Sequence, residues 1–194
     1  MARQGVSTGG AGPSCATGAL CAAAVCILLP VGAAHAGADH IVYPEGYQND
    51  FTYYNTVNLA DERKQVVKMF ANDVALQSAK DGAPLDSGSV IVMEIYKAAL
   101  DANEQPVLGA DGFFVPAEMA GIAVMETRSG WGEDYPEEWR NDEWEFAAFK
   151  PDDHSLVERD YQPCFACHKP LAESGYLFSL KALEAASAKQ ASGG

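Results

Sequence analysis

The stretch that decides the fold is Ser89-Val90-Ile91-Val92-Met93-Glu94-Ile95-Tyr96-Lys97-Ala98-Ala99. Its first half is an almost continuous run of apolar residues, many of them β-branched, and such residues are enriched in strands. A run of this kind, without strict alternation of apolar and polar residues, is typical of a strand that is buried on both faces over part of its length. The stretch therefore predicts such a strand over residues 89–99.

Three further stretches predict strands before and after this one. They are residues 65–70, 120–127 and 144–149, each rich in β-branched or aromatic side chains. Strands that follow one another with turn residues between them favour antiparallel pairing. The sequence therefore predicts an α+β fold, in which a mainly antiparallel β-sheet has a few short helices packed against it.

Two short helices are predicted outside the strands. Asn72 is a typical N-cap, and Asp73 follows in the first turn, so a helix is expected from there to about residue 80. Residues 181–189 predict a terminal helix. The small and polar stretch 185–194 predicts a frayed tail.

The N-terminus predicts a signal peptide over residues 1–36. Arg3 precedes an apolar run at residues 19–29, and the small-residue site Ala34-His35-Ala36 follows. A transmembrane anchor is the alternative, but the run is shorter than the ~20 residues that span a bilayer. We therefore expect residues 37–194 to form one domain, exported to the periplasm without a membrane anchor.

The most specific motif is Cys164-Phe165-Ala166-Cys167-His168, which has the C-x-x-C-H spacing of a c-type haem attachment site. Two thiols at this spacing can add to the two vinyl groups of one haem, and the following histidine can bind the iron. The other three of the five cysteines lie in the predicted signal peptide. The sequence therefore predicts one covalent haem c, held by Cys164 and Cys167, with His168 as the metal ligand.

The two cysteines also allow uses other than haem attachment. A thioredoxin-like redox pair usually opens a helix in a βαβ unit, and no such unit is indicated. A structural zinc site needs four ligands, and only His40 and His154 remain to complete it, neither at zinc-finger spacing. A plain Cys164–Cys167 disulfide without haem is the remaining alternative.

The charge of the chain restricts its partners. Its 13 basic and 27 acidic side chains give a net charge of −14, which argues against binding to nucleic acid or to an anionic membrane. A basic electron-transfer partner would suit this charge. The acidic and aromatic stretch 131–145 is either a docking surface or a solvated loop whose aromatic residues pin it to the core.

The ordered set of motifs resembles the cytochrome P-460 family, which includes the cytochromes c-prime-beta. The resemblance covers about residues 65–180 and rests on stretches 70–73, 87–95, 121–124, 144–149, 164–170 and 176–179. It implies a mainly antiparallel β domain with small helices, usually a periplasmic homodimer. It also implies one covalent haem attached near the C-terminus, with His168 proximal and an open or weakly occupied distal side.

The best-known members of that family oxidise hydroxylamine, and a lysine is cross-linked to the edge of their haem. The resemblance puts that lysine at the position of Met93. Lys97 lies four residues further on, ~13 Å along a strand at ~3.3 Å per residue, and Lys68 is a candidate on the preceding strand. Met93 itself either contacts the haem through its thioether or fills space beside the porphyrin.

Several other residues are further candidates for the site. Met125 and Met69 are further thioethers, and His154 is either a sixth iron ligand or an exposed loop residue. Glu94 and Arg128 are either polar groups of a distal pocket or an ordinary cross-strand pair.

The sequence leaves three functions open, of which the first is favoured. It is a haem protein that binds nitric oxide or small nitrogen oxides, exchanges electrons, or does both. The second is an enzyme that oxidises hydroxylamine, against which the methionine at position 93 argues. The third is a six-coordinate electron-transfer cytochrome.

Overall fold

The computed structural model of this chain describes Ala38 and residues 40–192. The predicted signal peptide, residues 1–36, lies outside this part of the chain. Within the described part, no helix has the length and apolar character that a membrane span requires.

Five antiparallel strands form one sheet, in which each strand pairs with the next one along the chain. They are β1 (Thr52–Leu59), β2 (Gln65–Ala71), β3 (Val90–Ala98), β4 (Pro116–Thr127) and β5 (Trp144–Phe149). The predicted α+β class with a mainly antiparallel sheet is confirmed. The apolar stretch 89–99 contains the central strand β3, whose first three residues are buried, as such a run predicts.

Two strands differ from the prediction. Strand β4 begins at Pro116 rather than at residue 120, and β1 was not predicted. Asn55 and Asn58 interrupt the β1 pattern, and asparagine is depleted in strands. Asn58 has a local role at this sheet edge, because its amide nitrogen donates to the Gly112 carbonyl oxygen (3.1 Å) and its amide oxygen accepts from the Phe114 N–H (2.8 Å).

The helices are short, apart from the last. They are α1 (Tyr47–Asp50), α2 (Asp73–Ser78), α3 (Gln162–His168) and α4 (Leu180–Ser192), with 3-10 turns at Trp131–Asp134 and Lys169–Ser174. The Asn72 cap is confirmed, since its side-chain oxygen accepts from the Ala75 N–H at 3.0 Å. The helix it caps ends two residues earlier than expected.

The predicted tail at residues 185–194 is wrong as far as Ser192, because helix α4 continues to that residue. Leu183 and Ser187 are fully buried. Helix α4 packs against β1 and α2, and this tertiary packing outweighs the polar composition of the stretch.

The two faces of the sheet carry different chemistry. Met93 and Glu94 are neighbours on β3, so their side chains point to opposite faces. The Met93 face includes Met69 of β2 and Ala123 of β4, which are its partners in the strand register. On the other face, the Tyr47 hydroxyl donates to the buried Glu94 carboxylate at 2.9 Å, so the N-terminal segment covers that face.

The acidic stretch 131–145 is partly core and partly surface. Tyr135 and Trp144 are buried, in keeping with the expectation that aromatic residues pin this stretch. Glu145 is also fully buried, and His40 Nδ1 donates to its Oε2 atom at 2.8 Å. This carboxylate therefore belongs to the core rather than to a solvated surface.

Candidate haem site

The C-x-x-C-H motif forms most of helix α3. Positions i, i+3 and i+4 lie on one face of an α-helix, so Cys164, Cys167 and His168 share a face. Pro163 lies in the first turn, where its missing N–H costs no helical hydrogen bond. The motif spacing and the helix together direct both thiols and the imidazole to one side.

Phe165, between the two cysteines, anchors helix α3 to the core. Its side chain is fully buried, and its ring centroid lies 4.9 Å from that of Phe146 and 4.7 Å from that of Tyr135. The Asn141 side-chain amide donates to the Phe165 carbonyl oxygen at 3.0 Å. The side chain between the cysteines thus fixes the helix while the cysteines remain accessible.

Tyr161 fixes the start of the same helix against strand β5. Its buried hydroxyl donates to the Val157 carbonyl oxygen (2.6 Å) and accepts from the Ala148 N–H (3.0 Å). Because both hydrogen-bonding roles of this hydroxyl are used, Tyr161 is a structural anchor and not a free acid or base.

His168 is held in the tautomer that suits a metal ligand. Its Nδ1 atom lies 2.6 Å from the Tyr176 carbonyl oxygen, and since a carbonyl only accepts, Nδ1 carries the proton. Burial lowers the pKa of His168, and this outweighs the opposite effect of the Tyr176 hydrogen bond. The neutral ring therefore keeps the Nε2 lone pair for an iron atom.

Neighbouring rings and a tight turn fix the orientation of the imidazole. The His168 ring centroid lies 4.8 Å from that of Phe146 and 5.0 Å from that of Phe178. Gly175 and Tyr176 both have positive φ, 59° and 63°. This pair of left-handed residues turns the chain so that the Tyr176 carbonyl oxygen meets His168.

A cavity of about 650 Å³ lies between helix α3 and the Met93 face of the sheet. Cys164, Cys167, His168 and Met93 all line it, so the structure brings together the four site residues that the sequence predicted. Its volume is in the range of cofactor pockets. Most of the other lining side chains are apolar, among them Ile95, Ala123, Met125, Phe146, Ala148 and Val157.

These residues fit a haem. Two thiols and a neutral imidazole converge on one apolar cavity, which is the donor set that a c-type haem needs. Cys164 is half-buried, Cys167 is exposed, and their sulfur atoms are not bonded to each other. Nowhere in the described part of the chain do three or more His, Cys, Asp or Glu side chains group as a metal site.

The other thioether and histidine candidates are separated by the structure. Met125 is buried and lines the cavity, whereas Met69 is not among the lining residues. His154 stacks on Tyr43 with 3.9 Å between ring centroids and does not line the cavity. The hypothesis that His154 is a sixth ligand is therefore wrong, because its turn places it against the N-terminal segment.

The hypothesis of a Glu94–Arg128 pair is also wrong. Glu94 accepts hydrogen bonds from the hydroxyls of Tyr47 (2.9 Å) and Tyr96 (3.0 Å), on the face away from the cavity. Arg128 instead forms an ion pair with Glu126, with 2.6 Å between Nε and Oε1. Burial, followed by the hydrogen bond to Glu94, raises the pKa of Tyr96 to about 12.

Neither lysine considered for the cross-link lines the cavity. Lys68 is the register partner of Glu94 and so lies on the opposite face from Met93, with its Nζ 5.2 Å from the centre of the Tyr96 ring. Lys97 forms an ion pair with Glu118, with 2.7 Å between Nζ and Oε2. Both side chains are directed to other partners.

Three basic residues of the cavity lining were missed by sequence reasoning. Arg63, Lys150 and Arg159 all line the cavity and are exposed. Arg63 comes from the connection between β1 and β2, and Lys150 and Arg159 come from opposite ends of the connection between β5 and α3, so no local pattern joins the three. Only Arg159, five residues before Cys164, was close enough to the motif to be suspected.

Comparison with known families agrees with this geometry. The model of the family described as Cytochrome P460 matches residues 44–179, which include all five strands, Met93 and the Cys164–His168 motif. No curated protein matches the chain. The match covers well over half of the sequence, and the chain belongs to the cytochrome P460 family, a family of c-type haem proteins.

Proposed function

We propose that this protein holds one haem covalently through Cys164 and Cys167, with His168 as the iron ligand, and uses it to bind nitric oxide or a related small nitrogen oxide and to exchange electrons. The observation that carries the proposal is the convergence of these three residues and Met93 on one apolar cavity. Haem iron supplies a centre that binds diatomic molecules and changes its charge by one electron.

The side chains around the cavity have distinct roles in this proposal. The thiols of Cys164 and Cys167 attach the porphyrin. The Nε2 atom of His168 binds the iron, while the Tyr176 carbonyl keeps the ring neutral and oriented. Phe146 and Phe178 restrict rotation of that ring.

The apolar wall supports a neutral ligand. Met93, Ile95 and Ala123 come from adjacent strands, and all three line the cavity. Burying a charged or strongly hydrated ligand in apolar surroundings has a large desolvation penalty. For a neutral diatomic molecule this penalty is small.

Two features argue against hydroxylamine oxidation. Oxidation of hydroxylamine must remove protons as well as electrons, and the described cavity lining contains no carboxylate and no free tyrosine hydroxyl to accept them. Methionine stands at position 93, where the family resemblance expects the cross-linking lysine. Lys150 lines the cavity from the turn after β5, and the experiment below would reveal a cross-link from it.

The cellular setting is part of the same proposal. Residues 1–36 direct export, the mature protein works in the periplasm, and it forms a homodimer. The net charge of the full chain, −14, favours a basic electron-transfer partner over an acidic one. A sedimentation experiment on the purified mature chain tests the dimer.

Optical spectra of the purified protein test the function. We expect a ferrous spectrum typical of a five-coordinate c-type haem, which shifts when nitric oxide is added. A spectrum indifferent to nitric oxide would favour the six-coordinate electron-transfer protein. A strongly red-shifted ferrous band, together with turnover of hydroxylamine, would establish a cross-linked enzyme and overturn the proposal.

A further inference from the structure

The charge of the cavity lining is opposite to that of the protein. Within the described lining, Arg63, Lys150 and Arg159 are the charged side chains, and no aspartate or glutamate joins them. The whole chain has 27 acidic side chains against 13 basic ones, so composition alone would predict an acidic lining. All three basic residues are exposed, which identifies them as the mouth of the cavity.

Only two of the three cations are available to a ligand. Arg63 is neutralised by Asp61, since its Nε atom lies 2.9 and 3.0 Å from the two carboxylate oxygens. Among the described residues, Lys150 and Arg159 form no ion pair with a carboxylate. These two side chains therefore have no carboxylate in direct contact, and Lys150 interacts at longer range with the Asp153 carboxylate.

The position of Arg159 is fixed by the attachment helix. Its Nη2 atom lies 3.4 Å from the Sγ atom of Cys164, and its guanidinium lies 5.2 Å from the centre of the Tyr161 ring. A cation beside an aromatic face is held there by the ring quadrupole. Arg159 thus presents its charge at the cysteine side of the cavity.

Haem itself carries two carboxylates, its propionates, and a basic mouth could serve them. The vinyl groups that form thioethers and the propionates lie on different halves of the porphyrin. Because Arg159 adjoins Cys164, it would lie near the thioether half of a haem attached there, away from the propionates. This leaves its charge for an anion from solution.

We infer that Lys150 and Arg159 form a binding site for small inorganic anions at the mouth of the haem cavity. The inference rests on the function proposed above, within which the anion class would be a nitrogen oxyanion such as nitrite. Exposed cations attract anions over about one Debye length, ~10 Å at 0.1 M salt. The acidic protein as a whole repels anions, whereas the two basic side chains concentrate them at the mouth of the cavity.

The test uses the haem-loaded ferric protein and two ligands, nitrite and neutral imidazole. Optical titrations are run at low and at high ionic strength. We expect nitrite affinity to fall as salt rises and to weaken roughly three- to tenfold in the double variant Lys150→Gln/Arg159→Gln. Imidazole affinity should not change. Lys80→Gln removes an exposed charge outside the cavity and should leave both ligands unaffected.

The sign of the salt effect is decisive. Without a basic mouth, a protein of charge −14 repels nitrite, and affinity would rise with salt. Such a rise, or an unchanged affinity in the double variant, would overturn the inference. Unchanged nitrite binding with a shifted haem potential would assign the two cations to the propionates instead.

A second readout separates this inference from the proposed function. Nuclear magnetic resonance shifts of the Arg159 guanidinium during nitrite addition report the site directly. Absence of such shifts in a protein whose haem does bind nitric oxide would refute the anion site alone. Guanidinium shifts in a protein that ignores nitric oxide would support the anion site and refute the proposed ligand.

Discussion

Gly175→Ala tests the turn that presents the Tyr176 carbonyl to His168. A Cβ atom at position 175 would lie 2.9 Å from the Cβ of Ala83, and the backbone there has φ +59°. A left-handed backbone costs a residue with a side chain about 1–2 kcal/mol. Crowding of a packed contact adds about 1–2 kcal/mol.

The expected total is a loss of about 3 kcal/mol in the free energy of unfolding. At 2–4 °C for each kcal/mol in a domain of this size, Tm should fall by roughly 6–12 °C. Thermal unfolding of the haem-loaded protein, followed by circular dichroism, measures it. The haem spectrum should also change, because the His168 hydrogen bond moves with the turn.

Gly112→Ala is the matched control for this variant. Gly112 has φ +82°, and a Cβ there would meet nothing within 4 Å. This variant should therefore lose only the stability that the left-handed backbone conformation costs an alanine. Adding Ala83→Gly to Gly175→Ala should recover the steric part of the loss. If Gly175→Ala costs no more than Gly112→Ala, the close approach to Ala83 is not real, and the reasoning fails.

Three further predictions concern polar side chains that are buried or half-buried. Asn72→Ala removes the acceptor of the Ala75 and Val90 N–H groups and should lower the free energy of unfolding by about 2 kcal/mol in urea. Asn72→Asp keeps that acceptor and should lose less. An equal loss of stability in Asn72→Asp would contradict the role of the acceptor. Tyr161→Phe should cost about 1–2 kcal/mol and increase hydrogen exchange in helix α3; unchanged exchange would show that its hydroxyl does not anchor the helix. Burial raises the pKa of Tyr54 to about 12, whereas a tyrosine in the unfolded chain ionises near pH 10. The contribution of Tyr54 to the free energy of unfolding is therefore fully present below pH 10 and is lost as the pH rises towards 12. In Tyr54→Phe the loss of stability between pH 10 and pH 12 should be smaller. A stability profile identical to that of the unmodified protein over this pH range would refute the prediction.

The sheet was largely predictable because its central strands carry strong local patterns. Strand β3 is apolar enough to be recognised alone, and β5 matches its predicted bounds at residues 144–149. Strand β1 was missed because Asn55 and Asn58 interrupt its pattern, and Asn58 is used for contacts with a separate segment at Gly112 and Phe114. Such contacts are tertiary and leave no periodic signal.

The motif of the site was predictable for a similar reason. Residues at i, i+3 and i+4 of a helix must share a face, so the placement of Cys164, Cys167 and His168 follows from spacing alone. The charge of the cavity mouth does not follow from spacing, because Lys150 and Arg159 lie nine residues apart in an irregular connection between β5 and α3. The sequence alone could not place Lys68 on the face opposite Met93. That placement follows from the pairing of Lys68 with Glu94 across β2 and β3.

Covalent attachment of haem to Cys164 and Cys167 is tested most directly by the mass of the purified protein after denaturation. Covalent attachment predicts that haem stays on the unfolded chain and that a peptide containing Cys164 and Cys167 carries it. The double variant Cys164→Ala/Cys167→Ala should release its haem on denaturation. Haem lost from the unmodified chain under these conditions, or found on any other peptide, would contradict the account.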